Sequence, residues 1–117
     1  RPDQVTLSGP QISLGSSAAT SLALVFHELA TNAAKYGALA EDGGELTVEW
    51  TASASDVTLN WSERRSGVTG EAPTHRGFGS QLIEMSVQRQ LKGAMTYDWS
   101  AAGLRVSLTA PTQQLTR

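Results

Sequence analysis

The chain has 117 residues, of which 39% are hydrophobic and 17% are charged, so we expect one globular domain with an ordinary core. It contains no cysteine, which excludes disulfides, catalytic thiolates and cysteine-ligated zinc. The formal net charge of −2 excludes a broad basic surface for nucleic acid, and no apolar run reaches the roughly 20 residues that a membrane span needs.

The first part of the chain predicts strands followed by one long helix. Residues 5–14 alternate weakly around a Gly-Pro turn, which indicates two short strands. Ser16 or Ser17 can cap the helix that follows, because a serine hydroxyl accepts the free amides of a first turn. Gly37 is suited to end that helix. Between these limits, apolar residues recur at helical spacing and define one buried face: Leu22, Val25, Phe26, Leu29 and Ala33.

The rest of the chain predicts two hairpins separated by a second helix. Residues 46–50 and 57–61 alternate apolar and polar side chains around a Ser-Ala-Ser-Asp turn, and 95–99 and 104–108 form another such pair. Residues 76–91 begin with glycines and continue as an amphipathic helix through Leu82, Ile83, Val87 and Leu91. We expect a turn at 41–45, a polar loop at 64–76 and a frayed tail after Pro111.

This order of elements indicates the α+β class. Strand pairs joined by hairpins, with helices between them, are typical of a two-layer sandwich. We therefore predict a mixed, mostly antiparallel sheet that is covered on one face by helices. The sequence contains neither an internal repeat nor an interdomain linker. We expect residues 1–117 to form one domain that is part of a longer protein.

The first predicted helix carries a polar stripe beside its apolar face. Glu28, Asn32 and Lys35 are four and then three residues apart, so they lie on one side of a helix. Tyr36 falls between the stripe and the apolar face, and His27 points away from the stripe. Carboxylate and amide oxygens suit Mg²⁺, and an ammonium group suits phosphate. A solvated helix face is the alternative, although asparagine is only a modest helix former.

The second predicted helix begins at two closely spaced glycines. Gly77 and Gly79 allow the backbone to approach an anion, and the amides of a first helical turn point toward one. Ser80 adds a hydroxyl and Arg76 a positive charge. The alternative is an ordinary helix start that uses glycine for its turn. Together with the polar stripe, this segment supplies groups that suit one polyphosphate.

A third candidate lies at the end of the strand predicted at 57–61. Trp61 and Glu63 are two residues apart and share a strand face if the strand continues. A carboxylate at a strand end can accept a hydrogen bond from an exocyclic amine such as that of adenine. The alternative is a solvated strand end.

The three segments together resemble a known family. HELATNAAKYGAL at 27–39, WSE at 61–63 and RGFGSQLI at 76–83 resemble, in this order and spacing, the ATP-binding catalytic domain of bacterial sensor histidine kinases. The resemblance is to the HWE type, named for a histidine in the first motif and a Trp-x-Glu in the second. It extends from about residue 9 to residue 111 and implies the Bergerat nucleotide-binding fold.

The resemblance implies a role for each matching residue. Asn32 corresponds to the Mg²⁺ ligand, Lys35 to the residue that contacts phosphate, and Tyr36 to the residue beside the nucleotide. Glu63 corresponds to the acid that accepts the adenine amine, and Glu28 to the acid that assists the phosphoryl acceptor. We therefore expect Glu28 and Lys35 to be catalytic. The glycine motif and the lid complete the expected ATP-binding set: Gly67, Arg76, Gly77, Phe78, Gly79 and Ser80.

The sequence departs from the family pattern after the Trp-x-Glu. A glycine pair usually follows, but Arg65 and Ser66 occupy those positions and the first glycine is Gly67. We expect these bulkier side chains to narrow the passage beside the base. Arg64 and Arg65 are then candidates to reach phosphate or a partner acid. The residues from 66 to 75 would form a short lid over ATP.

The resemblance also implies partners that lie outside this chain. Only His27 and His75 are present, and neither is our candidate phosphoryl acceptor, because one belongs to the nucleotide motif and the other to the lid. We expect the acceptor histidine on a dimerisation and histidine-phosphotransfer domain, and a response regulator as the next recipient. The expected location is cytoplasmic, without contact to nucleic acid or membrane. Two alternatives remain: a nucleotide-free domain of a histidine phosphotransferase, and a non-enzymatic interaction module.

Overall fold

The computed structural model describes residues 4–40, 43–65, 78–100 and 103–116. In chain order, the elements are β1 (Val5–Ser8), α1 (Ser16–Tyr36), a 3-10 turn (Ala38–Ala40), β2 (Glu45–Ala52), β3 (Asp56–Arg64), α2 (Phe78–Gln90), β4 (Ala94–Ser100), β5 (Gly103–Pro111) and α3 (Thr112–Leu115). The predicted α+β class is confirmed.

The strands form one mixed sheet in the order β1-β2-β3-β5-β4. β1 pairs with β2 in parallel, whereas the other three pairs are antiparallel. Both predicted hairpins are present as β2–β3 and β4–β5, and the first is closed by the Ser53 amide donating to the Asp56 carbonyl at 2.8 Å. β3 therefore lies at the centre of the sheet, where both of its edges are hydrogen-bonded.

The helices cover one face of the sheet and leave the other face polar. Along β3 and β5, alternate positions point toward the helices and are buried, because successive strand residues face opposite sides. The core is made of these positions, the buried positions of β2 and the apolar stripes of both long helices: Val25, Leu29, Ala33, Leu46, Val48, Val57, Trp61, Ile83, Val87, Leu91, Leu104, Val106 and Leu108. Burying these side chains supplies the main driving force for folding, at about 25 cal/mol per Å² of apolar area.

The predicted apolar face of α1 is confirmed, but its predicted serine cap is wrong. Val25, Leu29 and Ala33 are buried, and the helix is followed by Gly37 as expected. Gly15, in an extended conformation, occupies the cap position, and no side chain caps the helix. The Gly15 amide donates instead to the Leu115 carbonyl at 2.8 Å. Docking against the C-terminal segment thus sets where α1 begins.

Two of the predicted segments at the ends of the chain are wrong. Residues 9–15 form no second strand after β1, because Pro10 has no amide to donate and its carbonyl accepts the Trp50 indole at 2.7 Å. The expected frayed tail is instead α3, in which Leu115 is buried. The Thr112 amide donates to the Ser55 carbonyl at 2.9 Å and holds this short helix on the sheet.

The predicted burial of α2 is wrong at one of its four apolar positions. Ile83, Val87 and Leu91 are buried, as expected. Leu82 is 49% exposed. Successive residues of a helix are rotated by about 100°, so when Ile83 faces the sheet, Leu82 is turned away from it. Neither α1 nor α2, the long helices among the described residues, is apolar enough over its length to cross a membrane.

The topology brings the end of α1 and the start of α2 to the same end of the sheet. α1 begins beside Leu115 and ends where Ala38 contacts Glu63, near the last residue of β3. α2 is followed by Gly93, which lies against Thr109 and Ala110 at the opposite end of the sheet. A helix of 13 residues is about 20 Å long. Since α2 runs back along the sheet, Phe78 lies toward the Glu63 end.

Candidate functional site

The centre of the site is a buried carboxylate at the end of the central strand. Glu63 is only 8% exposed and faces the helices from β3. Its Oε2 accepts the Trp61 indole Nε1–H at 2.8 Å, and its Oε1 accepts the Ala38 amide at 3.2 Å. Each carboxylate oxygen can accept two hydrogen bonds, so the group retains capacity for a further donor.

The turn after α1 passes so close to this carboxylate that a side chain at Gly37 would displace it. A Cβ at Gly37 would overlap Glu63 Oε1 and would come within 3.1 Å of the Ala33 Cα. The sequence predicts Gly37 only as the residue that ends the helix. The contacts of Gly37 and Ala38 with Glu63 were missed, because they join positions at least 25 residues apart in the chain. The one available signal was that Gly37 directly follows the polar stripe.

The Trp61 ring is fixed between the sheet and α1. It is 3% exposed, and its centroid lies 6.2 Å from that of Phe26, with the ring planes inclined by 32°. Phe26 is half-buried on α1, whereas the backbone of Trp61 lies between β2 and β5, opposite Val48 and Val106. Trp61 therefore supports the Glu63 carboxylate from a position that is held on several sides.

The polar stripe on α1 contains a defined hydrogen bond. Asn32 Nδ2 donates to Glu28 Oε2 at 3.0 Å, and both side chains are half-buried. A carboxylate oxygen can only accept here, so the amide must present its nitrogen to Glu28 and its Oδ1 elsewhere. Lys35 and His27 are exposed, and within the described residues Lys35 forms no ion pair. The stripe thus offers an amide oxygen and an amine at the end of α1.

The other predicted residues are placed less completely. Tyr36 is the last residue of α1. Phe78, Gly79 and Ser80 form the first turn of α2, whose first amides have no intrahelical partner. The remaining members of the predicted set lie outside the described residues, as does the predicted lid: Gly67, Arg76 and Gly77, together with Ser66 and His75.

The arginine after the Trp-x-Glu lies on the opposite face of the sheet. Arg64 pairs with Glu45 at 2.6 Å, and both side chains are more than half exposed. Of the two roles considered for Arg64, contact with an acid is therefore the one found. A groove of about 470 Å³ lies beside Thr47, Ser62 and Arg105 of this open face. Arg65 is half-buried.

The donor set of the site suits a cation that arrives with its own oxygen ligands. Over residues 4–40, 43–65, 78–100 and 103–116, no group of three or more histidine, cysteine, aspartate or glutamate side chains is placed to hold a metal ion. Mg²⁺ commonly takes one or two protein oxygens and completes its shell with phosphates and water. The Asn32 Oδ1 fits that pattern, because it supplies a single hard oxygen beside the Lys35 amine.

The chain is similar to known sensor kinases in sequence. It is 40% identical over 114 residues to blue-light-activated histidine kinase 1 of Erythrobacter litoralis, covering 96% of this chain and 31% of that protein. It is 32% identical over 113 residues to blue-light-activated histidine kinase of Brucella ovis, covering 93% and 23%. No protein-family model matches the chain. The chain spans less than a third of the length of these relatives.

Solved structures are similar to it in fold. The histidine kinase domain of the EL346 blue-light activated histidine kinase from Erythrobacter litoralis superimposes with a TM-score of 0.77 and 16% identity, covering 95% of this chain and 55% of that one. The catalytic domain of histidine kinase ThkA superimposes with a TM-score of 0.70 and 11% identity, covering 93% and 79%.

The sheet order and the helices on one face define the class as the catalytic-domain fold of histidine kinases. The sequence identity to the curated relatives, together with His27 in the first motif and Trp61 and Glu63 in the second, gives the family. The chain belongs to the histidine kinases, as a catalytic domain of the HWE type. The resemblance drawn from the sequence is confirmed.

Proposed function

We propose that this domain binds Mg-ATP and delivers the γ-phosphoryl group to a histidine on a separate dimerisation domain. The observation that carries this proposal is the position of Glu63: a buried carboxylate held at the end of the central strand. It lies at the same end of the sheet as the C-terminal turn of α1 and the first turn of α2. Relatives named histidine kinase support the same conclusion.

Glu63 would recognise the base. Its carboxylate oxygens already accept from Trp61 and Ala38 and can accept once more each, so they suit the exocyclic amine of adenine. Guanine carries a carbonyl oxygen at the equivalent ring position, which two acceptors would repel. An adenine nucleotide is therefore the expected substrate.

The end of α1 and the start of α2 would hold the triphosphate. Asn32 would bind Mg²⁺ through Oδ1, and Lys35 would neutralise charge on the phosphates from the following turn. The first-turn amides of α2, at Phe78, Gly79 and Ser80, would donate to phosphate oxygens. Bound Mg²⁺ supplies charge neutralisation to a transfer that depends mainly on positioning.

Glu28 would assist the acceptor. It lies one helical turn before Asn32 and accepts its amide, so the acid is held beside the proposed metal ligand. From there it would accept a proton or hydrogen bond from the incoming imidazole. The partners in this proposal are the dimerisation and histidine-phosphotransfer domain, and then a response regulator whose aspartate receives the phosphoryl group.

A thermal-shift experiment on the purified chain tests this proposal. We expect Mg-ATP to raise the melting temperature of the unaltered chain and to have little effect on Asn32→Ala. Chelating Mg²⁺ should remove most of the shift. Asn60→Ala is the matched control, because Asn60 lies exposed on the open face, where its Oδ1 accepts from Ser107. Should the unaltered chain show no shift, the kinase proposal fails and the nucleotide-free alternative is favoured.

A further inference from the structure

We propose that Trp61 is a positioning residue that sets base selectivity by holding the Glu63 carboxylate where it accepts the exocyclic amine of adenine. This inference rests on the proposed function, in which Glu63 recognises the base. It assigns the tryptophan of the Trp-x-Glu a role beyond filling the core. The evidence is the hydrogen bond from Trp61 Nε1 to Glu63 Oε2 at 2.8 Å, formed inside the protein.

Glu63 needs such support because of the length of its side chain. A glutamate has three rotatable side-chain bonds, and ordering them costs more conformational entropy than ordering the two bonds of aspartate. From the end of β3, an unsupported glutamate could direct its carboxylate in several ways. The indole, from two residues earlier on the same strand face, holds one of the two oxygens in a single place.

Trp61 is suited to this task because it is itself immobile. Its side chain is 3% exposed and packs against Phe26 of α1. Its backbone lies in the middle of the sheet, opposite Val48 on one side and Val106 on the other. A donor fixed in this way can transmit its orientation to the group that it binds.

The chemistry of the pair also fixes the direction of the hydrogen bond. An indole N–H can only donate, whereas a tyrosine hydroxyl or a histidine ring could donate or accept. Trp61 therefore always uses Glu63 as an acceptor, and the Ala38 amide does the same from the other side. Both neighbours thus donate to the Glu63 carboxylate, and its remaining lone pairs are left to accept from the base in its proposed position.

Base selectivity provides a test that a merely structural role would not affect. We would measure the dissociation constants of ATP and of purine riboside triphosphate, which has the same ring system and triphosphate but lacks the exocyclic amine. The ratio of the two dissociation constants gives the preference for ATP. For Trp61→Phe we expect this preference to fall about tenfold, because the charged acceptor of the hydrogen bond to adenine loses its orientation. Affinity for purine riboside triphosphate should stay within about twofold of that of the unaltered chain.

Trp50→Phe is the matched control. It also removes an indole hydrogen bond, in this case 2.7 Å long, but to the Pro10 carbonyl and not to Glu63. We expect its preference for ATP to equal that of the unaltered chain. Glu63→Ala gives the reference without a carboxylate, and adding Trp61→Phe to it should cause no further loss of preference.

The outcomes separate this inference from the proposed function. If the unaltered chain binds neither nucleotide, the proposed function itself fails. If it prefers ATP but Trp61→Phe keeps that preference, or weakens both nucleotides equally, Trp61 is only structural and the inference is overturned. Should Trp61→Phe fail to fold, replacing the indole with its benzothiophene analogue removes the N–H and keeps both rings, and the same loss of preference is expected.

Discussion

The Asn32 side-chain amide donates to the Glu28 carboxylate at 3.0 Å, one helical turn away on α1. This bond joins the residue that we propose as the metal ligand to the residue that we propose to assist the acceptor. Because Glu28 accepts from the amide nitrogen, the amide oxygen is left for the proposed Mg²⁺ ion. The orientation of Asn32 therefore depends on its neighbour as well as on the helix.

Glu28→Ala should weaken Mg-ATP binding even though Glu28 is not proposed to contact the nucleotide. Without its partner, the Asn32 amide rotates freely, and we expect a loss of about fivefold, or about 1 kcal/mol. Glu28→Gln keeps an acceptor for the Asn32 amide and should bind within about twofold of the unaltered chain. Isothermal titration calorimetry measures both. Equal affinities for the two variants would show that the bond does not orient Asn32.

Gly37→Ala should destabilise the domain by about 1–3 kcal/mol, as is typical of overpacking. The added Cβ would overlap the Glu63 carboxylate and force it away from the Ala38 amide. Urea unfolding measures the change. Adding Glu63→Asp should recover part of the loss, because the shorter side chain withdraws from the new methyl group. If the effects of the two substitutions simply add, the proposed clash is not the cause.

Gly103→Ala should cost at least about 2 kcal/mol of stability. Gly103 has a φ of +154°, which side-chain-bearing residues rarely adopt, and a Cβ there would overlap the Glu63 carbonyl on β3. Thermal unfolding followed by circular dichroism measures the loss. Ser100→Ala, at the position paired with Gly103, is the comparison: it removes the 3.3 Å hydrogen bond from the Ser100 hydroxyl to the Gly103 carbonyl and should cost only about 0.5–1.5 kcal/mol.

Leu29→Ala should destabilise the domain far more than Leu24→Ala on the same helix. Leu29 is 2% exposed and lies in the core, so its truncation should cost about 2–5 kcal/mol. Leu24 is 55% exposed, and its truncation should cost less than about 1 kcal/mol. Both variants lose the same atoms, so urea unfolding isolates the effect of burial. Similar losses would mean that α1 packs with a different face.

The elements predicted well are those whose pattern is local. Alternation along β2 and β3 and helical spacing in α1 each follow from one buried face, and both are found. The failures involve contacts between distant parts of the chain. Pro10 is held by Trp50 and α3 by Ser55, and neither contact leaves a periodic signal. Leu82 and Ile83 are adjacent and apolar, so only the packing decides which one is buried.

For the candidate site too, the sequence predicted the relations that depend on local spacing. The spacing of Trp61 and Glu63 places them on one face, and the spacing of Glu28 and Asn32 places them one turn apart. What the spacing could not give is the partner of each group. The Ala38 amide reaches Glu63 only because α1 ends above β3, which depends on the packing of the helix against the sheet.

The two donors that hold Glu63 belong to different layers of the domain. Trp61 is part of the sheet, whereas Ala38 lies in the turn that directly follows α1. If α1 shifts as a rigid body, the bond to Ala38 stretches first, and the carboxylate stays with the strand. A displacement of α1 would therefore carry Asn32 and Lys35 away from the proposed position of the phosphates, while the proposed adenine contact would persist. Such a domain could keep its nucleotide bound while phosphoryl transfer is switched off.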